Sequence, residues 1–266
     1  MRTERDLEQL ARSIRLEVLE EIVKAGKGHI GPALSWVEIG VALYFASVLN
    51  VSVVGFDSSE RDRFILSKGH GCQTFYAILR HLGVLESSSP NSKPLPGHPD
   101  VGIHGVEANS GSLGHGLGIG LGLALAAQSQ GSGYHTYVLL GDGELGEGSV
   151  WEALMLAGHL QVQNLTAIID RNGLGATAST EDMLRLEPLR DKLEAFGWNV
   201  ARIDGHDMQS IVGALQGEQM CRPKVIIADT VKAKGVPFME NDVSWHHKVP
   251  TEVQAERARA SLQEAG

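Results

Sequence analysis

Most of the first eighty-five positions follow a helical pattern of apolar and polar residues, with one short apolar run among them. Apolar residues recur every three or four positions from 7 to 22, which predicts an amphipathic helix that ends at Gly26 or Gly28. Ser35 is a candidate N-cap for a second helix over 36–49, and because that segment is apolar nearly all round we expect it to be buried on several sides. The same part of the chain predicts a strand over 63–67 and a helix over 72–83.

The second half of the chain alternates apolar runs with helix-forming segments. The predicted strands are 137–140, 165–170, 198–205 and 224–230, and the predicted helices are 151–160, 207–216 and 251–266. This is a βαβ alternation, and no internal repeat or Gly/Ser linker divides it. We therefore predict that residues 1–266 form one doubly wound α/β domain with a largely parallel sheet flanked by helices.

Glycine marks an unusual helix in the middle of the chain. Between 114 and 122 every second residue is glycine, although each glycine in a helix interior costs about 1 kcal/mol relative to alanine. A close approach must compensate for this cost, either to a ligand or to another helix, and the sequence leaves both open. A second unusual segment, 86–99, is rich in Ser, Pro, Asn and Gly, which predicts a long loop of the kind that is often functional.

Composition and charge limit the binding partners and the cellular compartment that we expect for this protein. The net charge of -9 and the pI near 5.6 argue against a nucleic-acid surface. The N-terminus lacks a signal-peptide core and no apolar run approaches the roughly 20 residues needed to cross a membrane, so we expect a cytoplasmic protein without a membrane partner. Cys72 and Cys221 lie far apart in sequence, which favours two reduced packing cysteines over a disulfide.

Two oxygen-bearing side chains follow predicted strands. Asp142 comes after the run 137–140 and Asn172 after 165–170, thirty positions apart. Ligands of parallel α/β sheets dock at the carboxyl ends of the strands, where helix N-termini also offer N–H groups to phosphate. An acid and an amide carbonyl suit Mg²⁺ or Ca²⁺, and Gly141 and Gly143 allow a close backbone approach. The spacing predicts a metal-bridged diphosphate site, although a GDG tripeptide alone equally predicts a tight turn.

Histidines supply the other candidate chemistry. The chain has eleven, and those that adjoin a glycine include His29, His70, His98, His104, His115 and His206. Histidine exchanges a proton near neutral pH and hydrogen-bonds phosphate or hydroxyl oxygens, although any single one is more often a surface or packing residue. A zinc site is disfavoured, because there is no HExxH motif, the cysteines are not near a histidine pair, and His246 and His247 would point apart in an extended segment.

Together these segments resemble the transketolase family over residues 14–250. GDG followed by about thirty residues and Asn resembles the thiamine diphosphate motif. The segments GKGHIG, SKGHG, PGHPDVGIHGVEANSGSLGHG and KAKGVPFMENDVSWHHKVP are similar to the histidine and glycine loops of the family. The chain departs from the family pattern at Ser112, where proline is usual, and at His115, where glutamine is usual, and we assign neither a catalytic role.

The resemblance implies thiamine diphosphate and Mg²⁺ or Ca²⁺ as cofactors. It implies that Asp142 and Asn172 bind the metal through their side chains and Leu174 through its backbone carbonyl. The implied cofactor contacts are His70, Gly111, Leu113, Gly141, Gly143, Asn172 and His247.

The resemblance also implies a substrate side and an interface. His29, His98 and His247 are the implied catalytic histidines, with His246 as the alternative to His247. Glu147 matches a family glutamate at the subunit interface, and a carboxylate that favours a helix N-terminus is an equal alternative for it.

In this family a glutamate from a pyrimidine-binding domain activates the cofactor, and the sequence contains no such domain. We therefore expect the N-terminal subunit of a split transketolase, paired with a C-terminal subunit in an α2β2 heterotetramer; a truncated chain is the alternative. The implied reaction transfers a two-carbon ketol unit from a ketose or ketose phosphate to an aldose. The rivals are a carboligase like 1-deoxyxylulose 5-phosphate synthase, disfavoured by GHPD and SLGHG, and a non-catalytic subunit, disfavoured by the retained histidines and metal ligands.

Overall fold

A parallel sheet of five strands organises the chain in the computed structural model, which describes residues 2–51, 56–86, 95–217 and 221–264. The spatial order is β1-β2-β3-β5-β4, and every neighbouring pair is parallel. The strands are β1 Arg63–Leu66, β2 Thr136–Gly141, β3 Leu165–Arg171, β4 Asn199–Asp204 and β5 Lys224–Asp229. The predicted α/β class and parallel sheet are confirmed.

Helices cover both faces of this sheet. In the described residues they are α1 Glu4–Ala25, α2 Ile30–Leu34, α3 Val37–Phe45, α4 Cys72–His81, α5 Gly116–Gln130, α6 Gly148–His159, α7 Thr180–Met183, α8 Leu189–Ala195, α9 Met208–Gln216 and α10 Glu252–Glu264. One core joins alternate strand residues such as Leu139 and Ile168 to α1, α3, α4 and α9. A second core joins Val138 and Ile169 to α5, α6 and α8. Because the central strands are buried on both faces, their sequences are continuously apolar rather than alternating.

The register of the central strands brings their carboxyl ends together. Gly141 of β2 pairs with Asp170 of β3, and Arg171 pairs with Asp229 of β5. The loops that follow β2, β3 and β5 therefore leave the sheet at one edge. This edge collects the polar residues that the sequence places after strands.

Local signals fix the first helix as predicted. The Thr3 hydroxyl accepts a hydrogen bond from the Asp6 backbone N–H, and the Asp6 carboxylate accepts one from the Thr3 backbone N–H, which is a capping box. Gly26 ends the helix in the left-handed conformation with φ of 63°. Of the two predicted stops, Gly26 is the one used.

The predicted cap of the second helix is wrong. Ser35 ends the short helix α2, and α3 begins at Val37 after Trp36, without a side-chain cap. The Ser35 hydroxyl instead donates to the buried carboxylate of Asp170, at 2.5 Å. The sequence predicts that this hydroxyl caps a helix, but it instead donates its hydrogen bond to a charged carboxylate on a distant strand.

The glycines of α5 divide into two groups. A Cβ atom at Gly116 or Gly120 would collide with Ser67 of the β1 loop or Val138 of β2, so these two glycines let the helix lie directly on the sheet. At Gly118 and Gly122 an added methyl group would meet nothing within 4 Å, so these two face outward. Packing against the sheet therefore explains Gly116 and Gly120. The sequence offered a ligand or another helix as the explanation, and neither is what these two glycines approach.

Three remaining expectations concern the loop 86–99, the two cysteines and membrane-spanning helices. Of the predicted loop 86–99, residues 87–94 lie outside the described residues. Cys72 is buried and Cys221 is exposed, and both are free. No helix in the described ranges is long and apolar enough to cross a membrane.

Candidate functional site

A cavity of about 390 Å³ lies at the carboxyl edge of the sheet. Its walls come from the loops after β1, β2, β3 and β5, from the start of α2 and from the segment 98–113 between α4 and α5. Eleven of the residues singled out from the sequence line it: His29, His70, His98, Gly111, Leu113, Gly141, Asp142, Gly143, Glu147, Asn172 and Leu174. The parallel register thus brings to one site residues that lie far apart in the chain.

The predicted metal ligands form one hydrogen-bonded corner of this cavity. The Asp142 carboxylate accepts from the backbone N–H of Gly143 at 2.8 Å and of Gly173 at 2.6 Å, so it ties the loop after β2 to the loop after β3. The Asn172 side-chain oxygen accepts from the Leu174 N–H at 3.1 Å. One carboxylate, one amide oxygen and one backbone carbonyl are hard oxygen donors, which suit Mg²⁺ or Ca²⁺. The described residues contain no cluster of three or more His, Cys, Asp or Glu side chains suited to a metal.

The electrostatic surroundings of Asp142 favour the binding of a cation at this corner of the cavity. Burial and the nearby charge of Asp170 raise the pKa of the Asp142 carboxyl, and the Gly173 and Arg171 hydrogen bonds only partly oppose them. Arg171 donates to Asp142 at 3.1 Å and also pairs with Glu181 and Glu187. A divalent ion beside Asp142 would stabilise its charged form, so the site has chemical reason to hold one.

Histidines surround His29 at the other end of the cavity. Its ring centroid lies 5.5 Å from that of His70, 6.1 Å from His98, 5.7 Å from His246 and 4.4 Å from His247. Burial, together with the neighbouring His247, His98 and Lys232, lowers the pKa of His29 to about 4. The His29 Nδ1 atom is buried and has no hydrogen-bond partner among the described residues. A neutral imidazole with an unused polar atom is suited to bind a hydroxyl group or to exchange a proton with one.

The two adjacent histidines face different spaces. His246 lines the cavity, lies 5.2 Å from the His70 ring and receives a hydrogen bond from Lys232 at 2.9 Å. His247 instead lines a second cavity, together with His29 and His98. The geometry therefore favours His246 for the cofactor contact that the sequence assigned to His247, and leaves His247 on the substrate side.

Sequence reasoning missed a buried ion pair beneath the cavity. The Lys68 ammonium contacts the Asp170 carboxylate, and both side chains are almost fully buried. Burial alone would raise the pKa of Asp170, but the Lys68 charge and hydrogen bonds from Ser35 and Thr230 outweigh it and lower the pKa. Lys68 also donates to the Pro32 carbonyl at 3.0 Å and so joins β1, β3 and α2. The available signal was its position within SKGHG, directly after a strand.

A second missed lysine lies on the loop after β5. Lys232 donates to the carbonyls of Leu174 at 3.0 Å and Gly175 at 2.7 Å. Burial and the charge of Lys68 lower its pKa to about 8, so it is mostly cationic at neutral pH. Lys232 therefore provides positive charge where a diphosphate would lie, whereas the charge of Lys68 is balanced by Asp170.

A buried carboxylate arranges the glycine loops. Glu144 accepts from the Gly114 N–H at 2.9 Å and the Gly141 N–H at 3.2 Å, and also from the Ser67 hydroxyl. Burial raises its pKa above the ordinary glutamate value. Sequence reasoning singled out the exposed Glu147 three residues later, which occupies the N-cap position of α6 without a side-chain capping bond. Its carboxylate therefore lies at a helix N-terminus, which is the alternative that the sequence offered, and the interface role stays a prediction.

Three of the glycine-flanked histidines lie elsewhere. His104 is within 3.7 Å of Asp57, and His115 lies at the start of α5 beside a separate groove. The His206 ring joins Glu38, at 3.0 Å, to the backbone N–H of Val231, at 2.8 Å. It supports the segment that carries Lys232 rather than lining the cavity.

The fold and the site define the class of this chain: an α/β protein whose sheet edge holds hard oxygen ligands, two lysines and a group of histidines. Comparison with known families is more specific. Residues 7–263 match the family described as transketolase, thiamine diphosphate binding domain. The chain therefore belongs to the transketolase family, and it corresponds to the N-terminal, thiamine diphosphate-binding part of these transferases.

Several relatives of this chain are themselves separate subunits. The A subunit of apulose-4-phosphate transketolase from Phocaeicola vulgatus is 40% identical over 265 residues, which cover 97% of this chain and 94% of the relative. The 6-deoxy-6-sulfo-D-fructose transketolase subunit SqwG of Clostridium sp. is 38% identical, with 98% of both chains covered. The crystal structure of Campylobacter jejuni transketolase superposes with a TM-score of 0.87 at 28% identity, covering 98% of this chain and 43% of that one. The predicted family, fold and transketolase assignment are confirmed.

Proposed function

We propose that this chain is the N-terminal subunit of a split transketolase and transfers a two-carbon ketol unit from a ketose or its phosphate to an aldose. One observation carries the proposal: oxygen ligands, two lysines and the histidines around His29 meet in a single cavity. The relatives named as transketolase subunits, which match along nearly their whole length, support it.

The charged end of the cofactor would lie along the Asp142 corner. Asp142 and Asn172 side chains and the Leu174 carbonyl would hold Mg²⁺ or Ca²⁺, and the Gly143 N–H would face a phosphate oxygen. Lys232, which donates to the Leu174 carbonyl, and His246, which it also contacts, would lie beside these ligands. Thiamine diphosphate, when bound, supplies the carbon nucleophile and the electron sink of the reaction. The role of this chain is to bind, orient and neutralise charge.

The histidines would handle the protons of the substrate. His29 and His98 adjoin both cavities and His247 lines the second one, so all three can meet hydroxyl groups near a reacting carbonyl. Because the pKa of His29 lies at about 4, it is neutral at physiological pH and can accept or share a proton without first losing one.

The partner would be a C-terminal subunit that supplies the activating glutamate, in an α2β2 assembly in the cytoplasm. Support comes from exposed apolar side chains on α5 and α6, namely Ile119, Met155, Leu156 and Leu160, which are 38–48% exposed. Gly118 and Gly122 leave the same face of α5 open to a close neighbour. Glu147, exposed beside this face, is the proposed interface carboxylate.

The test is to co-produce the chain with its C-terminal subunit and to assay cofactor-dependent two-carbon transfer from xylulose 5-phosphate to ribose 5-phosphate. We expect activity only with both subunits, thiamine diphosphate and Mg²⁺. Condensation of pyruvate with an aldehyde phosphate in place of ketol transfer would assign the carboligase alternative. Cofactor binding by the complex without transfer from any ketose would assign a non-catalytic role.

A further inference from the structure

Three buried polar side chains, Arg15, Glu38 and His206, form a connected group that we call the Glu38 network. The Arg15 guanidinium, on α1, donates to the Glu38 carboxylate, on α3, at 2.6 Å. His206, in the loop after β4, contacts the same carboxylate oxygen through Nδ1 at 3.0 Å. None of the three lines the cavity at the carboxyl edge of the sheet. Replacing a buried ion pair by apolar residues is often neutral or stabilising, so stability alone does not explain this network.

The Glu38 network holds the backbone of the segment 230–235, which follows β5. Arg15 Nε donates to the Lys234 carbonyl at 3.1 Å. The Val231 N–H donates to His206 Nε2 at 2.8 Å. Lys232, which lines the cavity, lies between these two anchored residues. Side-chain hydrogen bonds therefore fix the backbone on both sides of the lysine.

The backbone next to Lys232 is strained. Ala233 has a φ of 62°, in the left-handed region that residues with a side chain rarely adopt. It is fully buried, and its N–H donates to the Gly31 carbonyl at 3.1 Å. Such a conformation persists only where the surrounding structure holds it, and it is found most often at functional sites. The Glu38 network supplies part of this restraint.

The hydrogen bonds also determine where the proton of His206 lies. A backbone N–H can only donate, so His206 Nε2 must be the unprotonated acceptor of the bond from Val231. The proton of the neutral ring therefore lies on Nδ1, where it faces Glu38. Burial would raise the pKa of Glu38, but the charge of Arg15 and hydrogen bonds from His206 and Arg15 outweigh it and lower the pKa to about 2. The ionised Glu38 carboxylate thus keeps the imidazole in the tautomer that accepts from Val231.

We propose that the members of the Glu38 network are positioning residues, which hold the segment 230–235 so that Lys232 projects into the proposed cofactor cavity. Lys232 neutralises charge on the diphosphate, whereas the network itself touches no ligand. The inference rests on the proposed function, because that function supplies the diphosphate. It follows that a change in the network alters cofactor affinity through Lys232.

Two substitutions of His206 separate the two bonds of its ring in the assembled enzyme. The amide of His206→Asn can replace Nδ1 beside Glu38 but leaves Val231 without an acceptor, whereas the longer amide of His206→Gln can replace Nε2. We expect the dissociation constant for thiamine diphosphate, measured by calorimetry in Mg²⁺, to rise about five- to tenfold in His206→Asn and less than about twofold in His206→Gln. An unchanged constant in His206→Asn, or an equal rise in both variants, would overturn the inference.

A double-mutant cycle tests whether the network acts through Lys232. Lys232→Met keeps a long side chain and removes the ammonium, and we expect it to raise the dissociation constant about tenfold. Adding His206→Asn to Lys232→Met should cause no further rise, because there is no ammonium left to misplace. If the two effects instead multiply, His206 acts on the cofactor by another route and the inference is wrong.

His135→Asn is the matched control for the loss of a partly buried histidine. His135 is bonded to Thr166 at 2.8 Å, but it precedes β2 and so lies at the opposite edge of the sheet. We expect this variant to have a lower free energy of unfolding and the wild-type dissociation constant for thiamine diphosphate. A rise equal to that in His206→Asn would mean that a general loss of stability weakens cofactor binding, which would overturn the inference.

The accessibility of Lys232 separates this inference from the proposed function. Lys232 is almost fully buried, so its acetylation by acetic anhydride in the cofactor-free chain should be slow. Mass spectrometry should show an acetylation rate about fivefold higher in His206→Asn and the wild-type rate in His206→Gln. An unchanged rate in His206→Asn overturns the inference whether or not ketol transfer is found. Absence of cofactor binding or of transfer in wild type counts against the proposed function instead.

Discussion

Asp142 is the residue that links the two glycine loops of the site. Its carboxylate accepts from Gly143 and Gly173 and pairs with Arg171. We expect Asp142→Ala to abolish metal-dependent binding of thiamine diphosphate, because it removes the only carboxylate among the proposed ligands and leaves Arg171 facing the metal. Calorimetric titration in Mg²⁺ measures this, and unchanged affinity would refute the site assignment.

His29→Ala is a second single-residue change in the site, and its expected effect contrasts with that of Asp142→Ala. We expect it to lower turnover by about 10²-fold or more while cofactor affinity changes little, since His29 contacts neither the proposed metal ligands nor the lysines through a hydrogen bond. Single-turnover rates and cofactor titrations on the same sample separate the two effects. A parallel loss of affinity and turnover would move His29 into the cofactor group.

Single residues were predictable from sequence where they follow a strand within a recognisable motif. Asp142, Asn172 and His70 fall in this class, because strand ends converge whatever the details of packing. Lys68 also follows a strand, but the sequence offered no reason to single out either Lys68 or Lys232, since a lysine is ordinarily a surface residue and its burial here depends on a carboxylate or carbonyl from a distant segment. The division of His246 and His247 between two cavities needs the backbone path and has no signal in sequence.

At the scale of secondary-structure elements, α5 tests how a helix is fitted to the sheet. Gly120→Ala places a methyl group against Val138, and we expect a loss of about 1–3 kcal/mol in the free energy of unfolding. Gly122→Ala, two positions away in open space, is the matched control and should gain about 0.5–1 kcal/mol through helix propensity. Urea denaturation of the two variants measures the difference. Equal effects would mean that α5 does not rest on β2.

Elements were predictable where one local rule decides them. The period of apolar residues placed α1 and the strands, and Gly26 ended the first helix. The predicted start of α3 was wrong because the hydroxyl of Ser35 donates to a carboxylate more than a hundred residues away. The glycines of α5 were recognised as a close approach, but the strand that they approach lies later in the chain and only the fold identifies it.

For the whole molecule, buried neutral histidines predict sensitivity to acid. Burial lowers the pKa of His70 to about 2 and of His135 to about 4, below the ordinary value of 6.5. The unfolded chain therefore binds more protons than the folded one below pH 6.5, and stability present above that pH is lost as the pH falls. Each of these two histidines removes up to about 1.4 kcal/mol per pH unit.

Urea denaturation of the cofactor-free chain at pH 7.0 and 5.5 checks this expectation. We expect His70 and His135 together to lower the free energy of unfolding by about 2.5 kcal/mol, and the fall to be smaller in His135→Gln, which lies outside the site and can keep a bond to Thr166. His159→Gln, at an exposed position, should show the wild-type fall. An unchanged fall in His135→Gln would mean that this histidine is protonated in the folded chain.

The buried pair of Lys68 and Asp170 has a consequence for the order in which the holoenzyme is built. Ser35, Pro32 and Thr230 of the same polypeptide complete this pair, so this part of the cavity floor is fixed within one chain. If the proposed cofactor site is correct, this chain can bind magnesium and the coenzyme before it associates with the partner subunit. The partner subunit then covers the occupied site. We then expect subunits mixed with magnesium and the coenzyme to assemble faster than subunits mixed without them.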